Sequence, residues 1–152
     1  MRHIYLFFLF LSLLACNKDE KRLAEEEILI QTYAQQQGLN LQRHESGFYY
    51  LIDTLGRPGQ NPQPNTYVEV RYKGYLLDGS VFASTGTNSE WLRLQDMIYG
   101  WQLALPLIGP QGRIRFFLPS FLGYGAKGLG SVIPPYSILV FEVDLVEIHP
   151  HF

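Results

Sequence analysis

Cysteine is nearly missing from this chain: Cys16 is the only one among 152 residues. A lone thiol forms no internal disulfide and builds no thiolate zinc site. Neither sign of charge dominates. Lys and Arg number 12 against 14 Asp and Glu, a formal net charge of −2, and such a balance argues against nucleic acid as a partner. His44, His149 and His151 fall outside every motif described below, and neither a Ser-His-Asp arrangement nor a metal-ligand cluster is in view. The most apolar run, Ile4 to Leu14, is shorter than the about 20 residues of an ordinary membrane-spanning helix. No internal repeat and no second domain emerge.

The opening "MRHIYLFFLFLSLLAC" has a basic start at Arg2, with His3, then the apolar run, then a small residue before Cys16. That is the pattern of a secretory signal peptide. Its ending "LLAC" resembles the bacterial lipobox, which implies cleavage before Cys16 and lipidation of the thiol. The alternative is an ordinary signal peptide whose boundary carries a cysteine. A lipid anchor accounts for an odd cysteine in an exported chain. The expectation is a lipoprotein signal peptide over 1–15 and a mature chain of 137 residues (152 minus 15). With the thiol acylated, no cysteine nucleophile remains. Two or more acyl chains hold a protein stably to a membrane. The expected location is therefore extracytoplasmic and lipid-anchored, at the outer membrane, with the periplasmic or surface face left open. A charged, solvated tether follows over 16–22, and its "NKDE" resembles the surface-export signal of Bacteroidetes lipoproteins.

An N-terminal helix and linker occupy 23–47. The helical reading runs from about Glu20 to Gln37, where Leu23, Glu27, Ile30 and Ala34, with Ile28, Leu29 and Tyr33, give a loose helical period. Gly38 supplies the stop. Strands then dominate. "ESGFYYLIDTLG" reads as a turn and a strand, and "GRPGQNPQPN" as a loop. In "YVEVRYKGYLL", Val68, Val70, Tyr72, Gly74 and Leu76 share one face, with Glu69, Arg71 and Lys73 on the other. "RIRFFLP" sets Ile114, Phe116 and Leu118 against Arg113 and Arg115. "SILVFEVDLVEI" sets Leu139, Phe141, Val143 and Leu145 against Glu142 and Asp144. Such alternation marks antiparallel strands that are wet on one side. "DMIYGWQLALPLIG" is a short apolar helix, ended near Leu105 by Pro106. The fold class is α+β: a curved antiparallel sheet, a half-barrel, wrapped around one short helix, with an N-terminal helix before the domain.

"GYGAKGLGSVIPP" poses a separate question, because Gly123, Gly125 and Gly128 fit the G-x-G-x-x-G spacing of a dinucleotide loop. That loop needs a helix opening at its end to face the phosphates. Here Pro134 and Pro135 follow within a few residues, no helix opens, and no Lys-Ser/Thr pair completes a nucleotide-binding P-loop. The segment reads instead as a flap carrying Tyr124, Val132 and Ile133.

"VEVRYKGYLLDGSVF", "MIYGW", "LPSFLGYGAKGLGSVIPP" and "LVFEVDLVEI" stand in this order between Tyr67 and Ile148. On these four the chain resembles the FK506-binding-protein (FKBP-type) peptidyl-prolyl cis-trans isomerases. The preceding helix and "SGFYYLI" are similar to the bacterial lipoprotein branch of that family, of the Bacteroidetes kind. The resemblance implies an isomerase domain over 48–152 whose pocket lies between sheet and short helix. It also implies an enzyme that helps exported, proline-containing polypeptides fold, as a monomer and without cofactor or metal.

Position by position, the resemblance assigns catalytic roles to Tyr72, Phe82, Ile98, Trp101, Tyr124 and Phe141, and substrate binding to Met97, Val132 and Ile133. Trp101 would floor the proline ring. The Ile98 N–H and the Tyr124 hydroxyl would bond substrate carbonyls, and Tyr72, Phe82 and Phe141 would present ring edges. Ordinary core packing stays open for Tyr72 and Phe141. One position departs: the family usually has Asp after the Phe of "DGxxF", and here it is Ala83. The equivalent of another pocket aromatic falls near Trp91-Leu92, and Asp78-Gly79 reads as a turn. Three uses of the fold stay open. The domain is an isomerase with activity lowered by Ala83, a non-catalytic peptide-binding lipoprotein, or an isomerase-like accessory factor of a gliding-motility machine.

Overall fold

The computed structural model describes residues 4–149, with side chains from residue 18 onward. The expected signal peptide and Cys16 lie outside the residues whose side chains are described. Helix α1 spans Ile4–Gln36, so the expected tether is helical where it is described, from Lys18 on. Its Lys, Glu, Arg, Leu and Ala residues are good helix formers with no Gly or Pro among them. Residues 18–21 remain exposed all the same. Gly38, at φ +64, stops the helix as expected, and the Leu39 N–H closes the end on the Ala34 carbonyl at 2.8 Å.

Among the described residues, seven strands form one antiparallel sheet: β1 (Gln42–Arg43), β2 (Tyr49–Thr54), β3 (Tyr67–Leu76), β4 (Val81–Ser84), β5 (Glu90–Arg93), β6 (Gly112–Leu118) and β7 (Leu139–His149). Their order is β1-β2-β6-β7-β3-β4, with β5 also paired to β3. The short strands β1, β4 and β5 are additions to the sequence reading. The inward residues expected on β6 and β7 are all buried, as are Val68, Val70 and Gly74 of β3. They pack against the short helix α2 (Tyr99–Ala104), whose Trp101 and Ala104 are buried among them. Burying each large apolar side chain stabilises the fold by roughly 1.5–3 kcal/mol. A Cβ on Gly100 would overlap the Leu118 side chain, so glycine there lets α2 lie close on β6. Pro106 does end α2, but Leu105 keeps helical angles (φ −64, ψ −34) and the chain continues as a 3₁₀ turn through Leu107. A proline at the start of a turn removes an N–H that had no acceptor there.

The outer face is only partly wet. At one end Arg113 and Arg115 of β6 pair across the strands with Asp144 and Glu142 of β7. At the other end Tyr49, Tyr75, Phe117 and Val140 are buried on that same face beneath Ile30 of α1. The sheet is therefore covered on both sides, by α2 within and by α1 without. Among the described side chains of α1, Glu26, Ile30 and Ala34 are buried, while Leu23, Ile28 and Leu29 of the expected stripe are exposed.

Candidate functional site

A cavity of about 450 Å³ opens between the inner face of the sheet, the start of α2 and the 123–135 flap. Tyr72 of β3 and Phe141 of β7 form its strand wall, and Phe82 and Ala83 of β4 its edge. Asp96, Met97 and Ile98 lead into α2, whose Trp101 lies at the bottom, 1% exposed. Tyr124, Leu129, Val132 and Ile133 come from the flap. All nine residues singled out for the pocket thus surround one space. Trp91 and Leu92 lie on β5, outside this lining.

Trp101 is held by ring edges. Tyr72, Phe141 and Phe116 meet it at 5.2, 5.3 and 6.0 Å between centroids, with interplanar angles of 88°, 84° and 88°. These are edge-to-face contacts, the favoured geometry for aromatic pairs. Phe82 stands edge-on to Phe141 at 5.5 Å. Backbone geometry places it there. Gly74 pairs with Ala83 and Tyr75 with Val81, so Phe82 is the extra residue of a β-bulge, a device that re-aims side chains. A Cβ on Gly74 would lie 2.6 Å from the Phe82 ring and 2.9 Å from the Phe141 ring. The glycine in β3 makes room for both.

The polar groups at the site are few. Ile98 caps α2 with extended angles (φ −55, ψ 151), and its carbonyl accepts the Trp101 N–H at 2.9 Å. Burial, with the Glu90 carboxylate beside it, pushes the Tyr72 phenol above its ordinary value. Asp96 is the carboxylate of the lining. It lines the same cavity as Ala83 and belongs to none of the residues that the resemblance assigns. The only available signal was its place immediately before Met97-Ile98 in the "MIYGW" motif.

The flap explains its glycines in two ways. Gly123, at φ −111, is needed for space, since a Cβ there would lie 2.7 Å from the Leu139 side chain, and the others are needed for conformation. Gly125, Gly128 and Gly130 have φ of +54, +62 and +54, the left-handed region that glycine tolerates. Leu129 and Ile133 exchange backbone bonds of 2.8 and 3.1 Å, which folds the flap back on itself. The loop folds back over an apolar pocket, and no helix opens at its end as a dinucleotide loop requires. Asp78-Gly79 is the expected turn, with Gly79 at φ +88 and the Ser80 N–H donating to Asp78 Oδ1 at 2.8 Å.

A second depression, also about 450 Å³, lies on the outer face among Arg71, Lys73, Arg113, Glu142 and Asp144. Its arginines are engaged with Asp144, and its lining is mostly charged or polar, with Tyr72 as its aromatic. The inner cavity is the candidate site.

A half-open antiparallel sheet curled round one short helix, with a tryptophan-floored aromatic pocket under a glycine-rich flap, defines the FKBP class of domain. The family model for "FKBP-type peptidyl-prolyl cis-trans isomerase" matches residues 59–146, and the chain belongs to that family. It is 32% identical over 132 residues to the FKBP-type peptidyl-prolyl cis-trans isomerase FkpA of Buchnera aphidicola, covering 86% of this chain and 51% of that protein. It is 44% identical over 97 residues to a probable FKBP-type 25 kDa isomerase of Pseudomonas aeruginosa, covering 63% and 42%. The chain spans about half the length of these curated relatives. Among solved structures it is similar to a peptidyl-prolyl cis-trans isomerase of Pseudomonas syringae, with TM-score 0.73 and 34% identity over 85% of this chain and 94% of that one. It is also similar to FkpA of Escherichia coli, with TM-score 0.73 and 31% identity over 98% and 71%.

Proposed function

We propose that this chain is a peptidyl-prolyl cis-trans isomerase that acts on exported, proline-containing polypeptides. The observation that carries this reading is the aromatic cage around Trp101, open on one side and roofed by the flap. Turning an Xaa-Pro bond crosses a barrier of roughly 18–20 kcal/mol because rotation breaks amide resonance. Unaided it takes tens to hundreds of seconds. The planar amide separates charge between its oxygen and nitrogen, and the twisted one has lost that separation. A pocket walled by Tyr72, Phe82, Trp101 and Phe141 offers little solvation to the planar form, so it favours the twist. No bond is made or broken, and neither nucleophile nor general base is required. The Tyr124 hydroxyl and the Ile98 N–H hold the peptide in place while it turns.

Tyr124→Phe tests the hydroxyl. The loss of one such bond is expected to lower kcat/KM about two- to tenfold without unfolding the domain. Wild-type turnover by that variant removes the hydroxyl from the mechanism.

A second reading rests on Ala83, which leaves this wall of the pocket without a carboxylate: a peptide-binding module that does not turn over. Turnover of a short Xaa-Pro peptide separates the two. In either case we place the domain outside the cytoplasm, held by lipid on Cys16, on the strength of "LLAC" and the solitary cysteine. Wild-type protein is expected to incorporate radioactive palmitate in a bacterial host, and Cys16→Ala to incorporate none. Label in that variant refutes the anchor.

A further inference from the structure

The isomerase reading uses only the inner side of the sheet. Helix α1 lies on the outer side, yet two of its residues reach the segments that flank the flap. Glu26 is 4% exposed, an unusual state for a carboxylate. Its partner is Ser120, 94 residues away: the Ser120 N–H donates to Glu26 Oε2 and the Ser120 hydroxyl to Oε1, both at 2.7 Å. Ser120 is itself 3% exposed. It opens the 3₁₀ turn Ser120–Leu122 that leads into the flap. One turn earlier on α1, and so on the same face, the Arg22 guanidinium lies 3.8 Å from the centre of the Tyr136 ring, a cation–π contact. Arg22 also pairs with Asp19 at 3.0 Å. Tyr136 is the residue that directly follows the flap.

These contacts close a circuit. The Ser120 carbonyl accepts the Gly123 and Gly125 N–H groups at 3.1 and 2.8 Å, and the Gly125 carbonyl accepts the Tyr136 N–H at 2.8 Å. Tyr136 has φ +58, a left-handed conformation that a residue with a side chain adopts only when its surroundings impose it. The path runs from Glu26 through Ser120, Gly125 and Tyr136 back to Arg22, four residues along the same helix. Tyr124, which lines the pocket, sits inside that path. We propose that Glu26 and Arg22 are positioning residues for the pocket: α1 holds both ends of the flap and thereby sets where Tyr124, Val132 and Ile133 stand over the substrate.

Among the described residues, the mechanism above gives α1 no other part in the site. The proposal rests on the isomerase reading for its activity arm alone. Its test compares the full chain in detergent with three variants, by peptide turnover and by deuterium exchange. Glu26→Ala leaves the Ser120 N–H and hydroxyl buried without an acceptor. It is expected to speed exchange across residues 123–135 about tenfold or more, with little change in the β6 and β7 amides, and to lower kcat/KM by about tenfold. Glu26→Gln can still accept from the Ser120 N–H and donate to its hydroxyl oxygen, and should recover most of both. Val68→Ala removes core volume at the far end of β3 from the flap. It should lower the melting temperature while leaving flap exchange near wild type. Unchanged flap exchange in Glu26→Ala overturns the proposal, and so does an equal rise in Val68→Ala. If the wild-type chain shows no turnover, the isomerase reading fails by itself and the exchange comparison still decides the role of α1.

Discussion

Trp101→Ala is expected to abolish turnover and to cost about 3–5 kcal/mol of stability, the usual range for a fully buried tryptophan. The side chain is 1% exposed and touches rings from three different strands, Tyr72 on β3, Phe116 on β6 and Phe141 on β7. Domains of this size are stable by only about 5–15 kcal/mol, so the alanine variant stands near the limit of folding. Trp101→Leu separates the two effects. It keeps much of the apolar volume and is expected to fold, yet it loses the flat floor and should turn over at least tenfold more slowly. Thermal melts beside peptide turnover read both quantities. A Trp101→Leu protein with wild-type rate contradicts the floor role and makes Trp101 a core residue only.

The flap offers a cleaner contrast, because two of its glycines share a conformation and differ in their surroundings. Gly128 and Gly130 have φ of +62 and +54, so alanine at either is penalised by roughly 1–2 kcal/mol for the left-handed backbone. A Cβ at Gly130 meets nothing within 4 Å, whereas one at Gly128 overlaps the Ile133 carbonyl oxygen and crowds Pro134 and Pro135. Backbone atoms cannot swing aside as a side chain can. Gly128→Ala should therefore lose more stability than Gly130→Ala and displace Ile133, a residue that is 1% exposed and lines the cavity. Turnover is expected to fall more than tenfold in the first variant and less than threefold in the second. Equal losses would mean that conformational preference alone, and not the close approach to Ile133, explains the glycine.

Much of this was legible because a half-buried strand advertises its two faces. Ile114, Phe116 and Leu118 against Arg113 and Arg115 could be sorted by alternation, and each landed as sorted. The pocket residues were found through motif resemblance, since nothing in their spacing alone says that Tyr72, Trp101 and Phe141 converge. Most of what the strand alternation does not show has one physical cause. Phe117, Tyr75 and Val140 sit on strand positions of solvent-facing parity, and only a second layer explains apolar residues there. That layer is α1: its loose stripe names Ile30 and Ala34, which are buried, together with Leu23, Ile28 and Leu29, which are exposed, and it omits the buried Glu26. Glu26 hides from any hydrophobicity argument because its burial is made possible by Ser120, far along the chain. The bulge at Phe82 left no trace either. One extra residue in a short strand produces no period to detect.

The most direct test is the cis-to-trans rate of a short Xaa-Pro peptide with the full chain in detergent, measured against the uncatalysed rate. The aromatic pocket is expected to accelerate it at least a hundredfold at micromolar protein, which removes about 2.7 kcal/mol or more from the barrier, with Ala83 left as it is. A folded chain that binds the peptide and leaves its rate unchanged would contradict the isomerase account and leave a binding module in its place.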